Sequence, residues 1–343
     1  MEKKIQSGIL LAAGVIAAAI GIASGVAGMQ GETRGYLLVA GVILIMLGFL
    51  RSPVRHHDRV VNVVFLTPVI LAFAITVVIP FLLGIFYSFT DWNGMTFTQF
   101  LGFGNYIKIF REGGFLYSVL ITFLFTVINL SCVNIIAFAL ALLCSSKIKG
   151  RNFMRAAFFM PNLIGGIVLG YVWQFIFNKV FVTVFQGSVS MLSDPNLAFV
   201  AIVIVSTWQY AGYIMMIYVT GLQGVPTEIV EAASVDGANA RQTLFKIKIP
   251  MIANTFTVCI FLSLTSAFKQ FDVNLALTNG APSRILGDKI IQSTEFLALK
   301  IYNTSIGEND YAAGQTMSVL FFIVLAAISL TQVYISKKRE VEA

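Results

Sequence analysis

Residues 231–250 read Glu-Ala-Ala-Ser-Val-Asp-Gly-Ala-Asn-Ala-Arg-Gln-Thr-Leu-Phe-Lys-Ile-Lys-Ile-Pro, a polar stretch set between apolar runs near 198 to 222 and 251 to 271. Just upstream, the segment from Pro226 to Ala233 starts like a helix, with Pro226 at a first-turn position, Thr227 as a cap, and Glu228 and Glu231 near the positive helix end. Gly237 supplies the positive φ of a chain reversal, and Arg241 to Ile249 reads as a second short helix that stops at Pro250. Helix, tight turn and helix make a compact knob outside the bilayer. Connections between packed helices usually run about two to eight residues. The loop over 223–250 is far longer, which points to docking rather than mere connection.

Composition sets the medium around that loop. The chain of 343 residues is 57% hydrophobic and 11% charged, against roughly 25% charged in an ordinary soluble domain. It reads as an all-α polytopic membrane protein. Eight apolar runs approach the roughly twenty helical residues needed to cross a hydrocarbon core. They lie near 8 to 27, 35 to 50, 60 to 89, 115 to 145, 156 to 177, 198 to 222, 251 to 271 and 312 to 335, the second being short.

The net charge of +7 raises the question of nucleic acid, and the placement of the basic residues answers it. They cluster at the ends of the apolar runs, as expected for cytoplasmic retention, so no nucleic-acid partner is expected. With the N-terminus inside, fifteen of the 23 fall in cytoplasmic segments: Lys3 and Lys4; Arg51, Arg55 and Arg59; Lys147, Lys149, Arg151 and Arg155; Arg241, Lys246 and Lys248; Lys337, Lys338 and Arg339. That asymmetry puts both termini and the 223–250 loop in the cytoplasm.

The basic linker ending at Arg59 separates an N-terminal transmembrane hairpin, residues 1–59, from six later spans in 60–343. Gly8, Gly14, Gly21 and Gly25 would let the two hairpin helices approach closely, as a peripheral pair beside the later spans. The length of the first run and the second run close behind it favour a retained hairpin over a cleaved signal. Cys132, Cys144 and Cys259 fall in apolar runs without paired spacing and read as small core residues, with neither a disulfide nor a metal site expected.

Several segments resemble one family. The order Glu231-Ala232-Ala233, Asp236-Gly237-Ala238 and Ile247 to Pro250 is similar to the cytoplasmic EAA loop of permease subunits in binding-protein-dependent ABC importers. Tyr87 to Trp92 (Tyr-Ser-Phe-Thr-Asp-Trp), Gly102 to Tyr106 (Gly-Phe-Gly-Asn-Tyr), Arg151 to Pro161, and Leu277 to Pro282 (Leu-Thr-Asn-Gly-Ala-Pro) resemble elements of the carbohydrate branch typified by the maltose permease pair. The resemblance covers about residues 60 to 335, in the family's order. It implies a six-helix type I importer core following the N-terminal pair. It also implies a bacterial cell-membrane location, a second homologous permease, two ATPase subunits, ATPase coupling through Glu231, Ala232, Ala233, Asp236, Gly237 and Pro250 of this chain, and an extracellular solute-binding protein.

The energy source follows from what the spans contain. No Asp, Glu, Arg or His lies well inside an apolar run, where a proton-driven carrier would keep a relay; Lys269 and Asp272 sit at the outer end of the seventh. The chain also lacks a G-x-x-x-x-G-K-[ST] phosphate loop. No cofactor is expected in this chain, which reads as a permease rather than an enzyme, with ATP and magnesium on the partner ATPase. A sugar site needs aromatic faces and neutral hydrogen-bonding groups. Trp208, Gln209, Tyr210 and Tyr213, then Asn254, Ser263, Thr265, Ser266 and Gln270 offer them. By the resemblance, Tyr213, Ser263, Ser266 and Gln270 match sugar-contacting positions. Ser266 and Ala267 replace an aromatic and an amide there, which leaves the sugar open. An ABC permease for another solute and a stand-alone secondary carrier are the alternatives.

Overall fold

The structure, a computed structural model, describes residues 2–26, 31–50, 57–111, 113–146, 148–184, 189–287 and 289–337. In chain order the helices are α1 (Glu2–Val26), α2 (Gly31–Leu50), α3 (His57–Phe73), α4 (Ile79–Tyr87), α5 (Gly104–Arg111), α6 (Gly113–Ser145), α7 (Arg151–Leu163), α8 (Gly166–Phe175), α9 (Phe181–Val184), α10 (Pro195–Gln223), α11 (Thr227–Val235), α12 (Ala240–Thr243), α13 (Ile249–Met251), α14 (Ala253–Phe268), α15 (Asp272–Leu277), α16 (Leu297–Tyr302) and α17 (Tyr311–Lys337). One antiparallel hairpin, β1 (Ser283–Leu286) with β2 (Lys289–Gln292), pairs Ser283 with Gln292 and Leu286 with Lys289. The sequence reading did not foresee it. The protein is otherwise the expected all-α polytopic membrane protein.

Wide π turns splice several helices into longer rods, over Ala74–Val78 between α3 and α4, Ile176–Val180 between α8 and α9, and Leu244–Lys248 between α12 and α13. Pro80 and Pro250 each follow such a turn by two residues. A proline offers no N–H to the carbonyl four residues back and its ring crowds that carbonyl, so a locally wider turn lets the helix continue past it. The second knob helix therefore does not stop at Pro250, as the sequence predicted; it runs to Met251.

Among the described residues five helices are long and apolar enough to cross a membrane: Phe65–Tyr87, Gly113–Ser145, Gly166–Val184, Pro195–Gln223 and Tyr311–Ile335. Ala240–Met251 and Ala253–Phe268, bent by 71°, make a sixth if taken together. The sequence predicted eight. The other two expected runs lie in α1 and α2, which are 25 and 20 residues long and apolar over Gln6–Gly21 and Gly35–Gly48. Arg51, Arg55, Lys147, Lys338 and Arg339 lie outside the described residues.

The expected run 156–177 is also divided. Its first part belongs to α7, and Ile164 (φ −82, ψ 128) and Gly165 (φ −57, ψ 136) are extended, so the membrane-length helix begins only at Gly166. Arg155 reaches from α7 to the C-terminal end of α6, donating to the Cys144 carbonyl at 2.8 Å, where a cation meets the negative end of a helix.

The chain forms two compact units, Met1–Leu83 and Gly84–Ala343. In the first, α1 and α2 lie antiparallel at close range. A Cβ built on Gly14 would stand 2.7 Å from the Ile45 backbone nitrogen, and one on Gly21 would stand 2.9 Å from Leu38 Cγ. Gly8 has nothing within 4 Å, and the surroundings of Gly25 are not among those described. The Ser7 hydroxyl donates to the Gly48 carbonyl across the pair at 2.8 Å.

In the second unit α10 is the central element. Asp194 caps it by accepting from the amides of Asn196 and Leu197, with Pro195 opening the first turn. One core cluster joins Phe125, Phe177, Val203, Leu277 and Phe296, and a second, further along α6 and α10, joins Val133, Cys144, Met215, Tyr218 and Cys259. All three cysteines are free, and Cys144 and Cys259 are buried. The segment after α4 is a latched turn: the Asn105 amide donates to the carbonyls of Ser88 (3.0 Å) and Thr90 (2.7 Å), Tyr106 pairs with the Ser88 hydroxyl, and Trp92 stacks on Tyr87 at 4.1 Å. Those motif residues hold the turn together.

Candidate functional site

The knob between α10 and α14 is built by two capping motifs back to back. α11 starts at Thr227 with Pro226 in the N-cap position and no side-chain cap, so Thr227 is the first helical residue rather than the predicted cap. The helix closes as a Schellman motif: the amide of Ala238 donates to Ala233 O at 2.9 Å and that of Gly237 to Ser234 O at 3.2 Å. Gly237 sits at φ 81, the left-handed conformation the motif requires.

Two residues later Asn239 starts the next helix. Its carboxamide oxygen accepts from the Gln242 amide (2.9 Å) while the Gln242 side chain accepts from the Asn239 amide (2.8 Å), a reciprocal capping box that the sequence reading missed although its Asn-x-x-Gln spacing is visible. Thr243 is buried and donates to the Asn239 carbonyl. The reversal thus has its backbone groups satisfied locally. At the far end Ile252, 3% exposed, fixes the 71° bend into α14.

Of the predicted coupling residues, Glu231, Ala232, Asp236, Gly237 and Pro250 are exposed and Ala233 is half-buried. Glu231 and Lys248 both line one groove of about 410 Å3, together with Ser145, Leu222 and Val225. Val235 is 89% exposed and Phe245 65%, so the knob also presents apolar side chains that the sequence reading did not single out.

The predicted substrate residues fall along the seam between α10 and α14. The Gln270 amide donates to the Ser206 hydroxyl at 2.6 Å, and the Tyr210 hydroxyl is within hydrogen-bonding reach of Ser266 and the Leu262 carbonyl. In this antiparallel register, where 206 meets 270 and 210 meets 266, position 213 lies level with 263. Tyr213 is half-buried, its ring 5.4 Å from that of Tyr210. Ser263 is 1% exposed; it donates to the Cys259 carbonyl (2.6 Å) and accepts from the Asn134 amide (3.1 Å), whose oxygen accepts from Tyr218 (2.8 Å). Asn134 and Tyr218 escaped the sequence reading because only the packing reveals their partners. Among the described residues no cluster of His, Cys, Asp and Glu could hold a metal.

Known proteins are similar to this chain in sequence and fold. Residues 134–340 match the binding-protein-dependent transport system inner membrane component family. The chain belongs to that family. It is 41% identical over 283 residues to the probable starch degradation products transport system permease protein AmyD of Thermoanaerobacterium thermosulfurigenes, covering 81% of this chain and 94% of that one. Against the multiple sugar-binding transport system permease protein MsmF of Streptococcus mutans it is 31% identical, covering 76% and 90%. Its fold is similar to a chain of a bacterial alginate ABC transporter crystallised with an alginate pentasaccharide-bound periplasmic protein, with a TM-score of 0.70, 18% identity and coverage of 83% and 98%. The chain is thus a multi-pass transport permease subunit.

Proposed function

We propose that this permease forms, with a second homologous permease, the carbohydrate path of an ATP-driven importer with two ATPase subunits, that its 223–250 knob docks onto an ATPase, and that a soluble binding protein delivers the sugar. The observation that carries this reading is the knob itself. A reversal closed by a Schellman motif and a capping box, joined to α10 on one side and through a bend to α14 on the other, is a rigid element able to turn motion at the membrane surface into rearrangement of two spans. Glu231 meets a basic group on the ATPase, while ATP and magnesium bind that partner. Tyr213, Ser263, Ser266 and Gln270 serve the path. Residues 60–343 act as the transport domain, and 1–59 is a peripheral addition. The sugar-transport descriptions of the relatives support the substrate class, as does the neutral character of the α10–α14 seam.

The orientation is part of the same reading: termini and knob inside, the β1–β2 hairpin outside, in a bacterial cell membrane. Cysteines placed at Ile285 (75% exposed) and Val235 (89% exposed) test it. An impermeant thiol reagent should label the first in intact cells and the second only after lysis. For docking, Glu231→Ala should reduce co-purification with the ATPase and substrate-stimulated hydrolysis without loss of membrane insertion. Native stimulation in that variant would refute the assigned contact.

A further inference from the structure

A second groove lies away from both the knob and the α10–α14 seam. Leu120 and Leu124 of α6 form one wall and Phe199 and Val200 of α10 the other, around a cavity of about 400 Å3. Leu120 is 68% exposed and Leu124 49%. The two helices run parallel, as the contacts Phe125–Phe199 and Asn129–Thr207 require. Both begin at the same end of the groove, and there the lining changes character to Tyr117, Asn196, Ser293 and the guanidinium of Arg284.

The Arg284 guanidinium lies within reach of the Tyr117 phenol oxygen, and the Tyr117 hydroxyl donates to the Ser293 carbonyl at 2.8 Å. A guanidinium carries five donors in a rigid fork, so most remain available. Among the described residues the ion pairs are Lys108–Asp310, Lys300–Glu295 and Lys300–Glu308, none with Arg284. The nearby Asp194 carboxylate is engaged with the first amides of α10.

A groove with apolar walls in a membrane protein fills with acyl chains, but lipid tails are as apolar as leucine and give little selectivity. Selection has to come from the polar end, where the guanidinium fork matches two oxygens of a phosphodiester. A zwitterionic headgroup brings its own cation, whereas an anionic one leaves the phosphate charge to the protein. We propose that this groove binds an anionic phospholipid, with its phosphate on Arg284 beside Tyr117 and one acyl chain between α6 and α10.

Native mass spectrometry of the intact assembled importer, supplied with equal phosphatidylglycerol and phosphatidylcholine, tests the assignment. The native chain should retain phosphatidylglycerol preferentially. Arg284→Gln, a change at an exposed side chain, should reduce that preference about tenfold, in line with loss of one charge-assisted contact, and Arg284→Lys should keep part of it. Leu124→Trp, which fills the groove, should displace the lipid with Arg284 intact. Inorganic phosphate at matching concentration should not displace it, because it cannot use the apolar walls. Undiminished phosphatidylglycerol preference in Arg284→Gln would overturn the proposal. So would a disulfide forming in native membranes between Leu124→Cys and a cysteine on the second permease, since a partner helix would then occupy the groove.

Discussion

Gly237 offers a quantitative test of the knob because its environment separates strain from steric conflict. Its φ of 81 lies in the left-handed region, and a Cβ built there meets nothing within 4 Å. A side chain at this position therefore has room, and its cost is the conformational one, about 1–2 kcal/mol for an L-residue other than asparagine or aspartate. That energy would depopulate the Schellman closure by roughly 5- to 30-fold relative to alternatives lacking it. Asparagine tolerates the region better, and a β-branched side chain tolerates it worse. The expected series for coupling is thus Gly above Asn, then Ala, then Val. The assay is sugar uptake per ATP hydrolysed by the assembled importer in proteoliposomes, with membrane insertion and yield as controls. Steric damage would follow side-chain size and place Asn below Ala; strain places Asn above it. Native coupling in both Ala and Val variants would refute the claim that a pre-formed reversal transmits the stroke.

Other outcomes follow from the packing. Gly212→Ala should destabilise the protein by about 1–3 kcal/mol, read as a loss of thermal stability in detergent, because the added Cβ would lie 1.8 Å from the Phe158 carbonyl oxygen of α7 and backbone cannot swing aside. Asp91 accepts hydrogen bonds from the amides of Gln99 and Thr98 and from the Thr98 hydroxyl, and these hold its carboxyl below the ordinary aspartate value. Its contribution to the 88–100 turn is accordingly present above the ordinary value and lost as pH falls through the lowered one; hydrogen exchange at Thr98 and Gln99 should accelerate only in that acidic window, and Asp91→Asn should remove the dependence. Tyr213→Ala should weaken uptake by about 1 kcal/mol, or roughly fivefold, and Gln270→Ala should shift preference within a panel of mono- and oligosaccharides more than it slows hydrolysis. Unchanged rate and preference in both would reassign these residues to helix packing.

Some of this was legible in the sequence because the causes are local. Gly237 follows a short amphipathic helix and precedes a polar start, which is enough to place a reversal with positive φ there. The apolar runs gave the spans. What misled was continuity of composition: from Phe158 to Phe175 the chain is almost uniformly apolar, so nothing in hydropathy marks the extended pair Ile164 and Gly165 that separates α7 from α8. Pro250 misled in another way. A proline stops a regular α-helix, but the π turn over Leu244–Lys248 had already altered the hydrogen-bond spacing before it. That adjustment is made by the backbone ahead of the proline, so the proline alone did not show whether the helix stops or widens.

The same limit governs the proposed sugar residues, and it bears on mechanism. Serine, glutamine and tyrosine on a span suit a sugar hydroxyl and a neighbouring helix equally well, so residue type cannot tell path from packing. The hydrogen bonds show what each side chain already engages. Ser263 has given its single donor to Cys259 and one acceptor site to Asn134, and it lies inside a network that includes buried Tyr218. Gln270 spends its amide on Ser206, and Tyr210 lies against Ser266 on the same seam. Tyr213, level with Ser263, makes no hydrogen bond through its hydroxyl to a described residue, which leaves it the freest of the four to meet a ligand. If the seam opens under the pull of the knob, Gln270 and Ser206 lose each other, and an unpaired amide and hydroxyl away from water cost about 1–3 kcal/mol apiece. A sugar presenting hydroxyls at that level would restore those bonds. Substrate would then stabilise the open seam relative to the closed one, which ties binding at α10 and α14 to the position of the element that joins them.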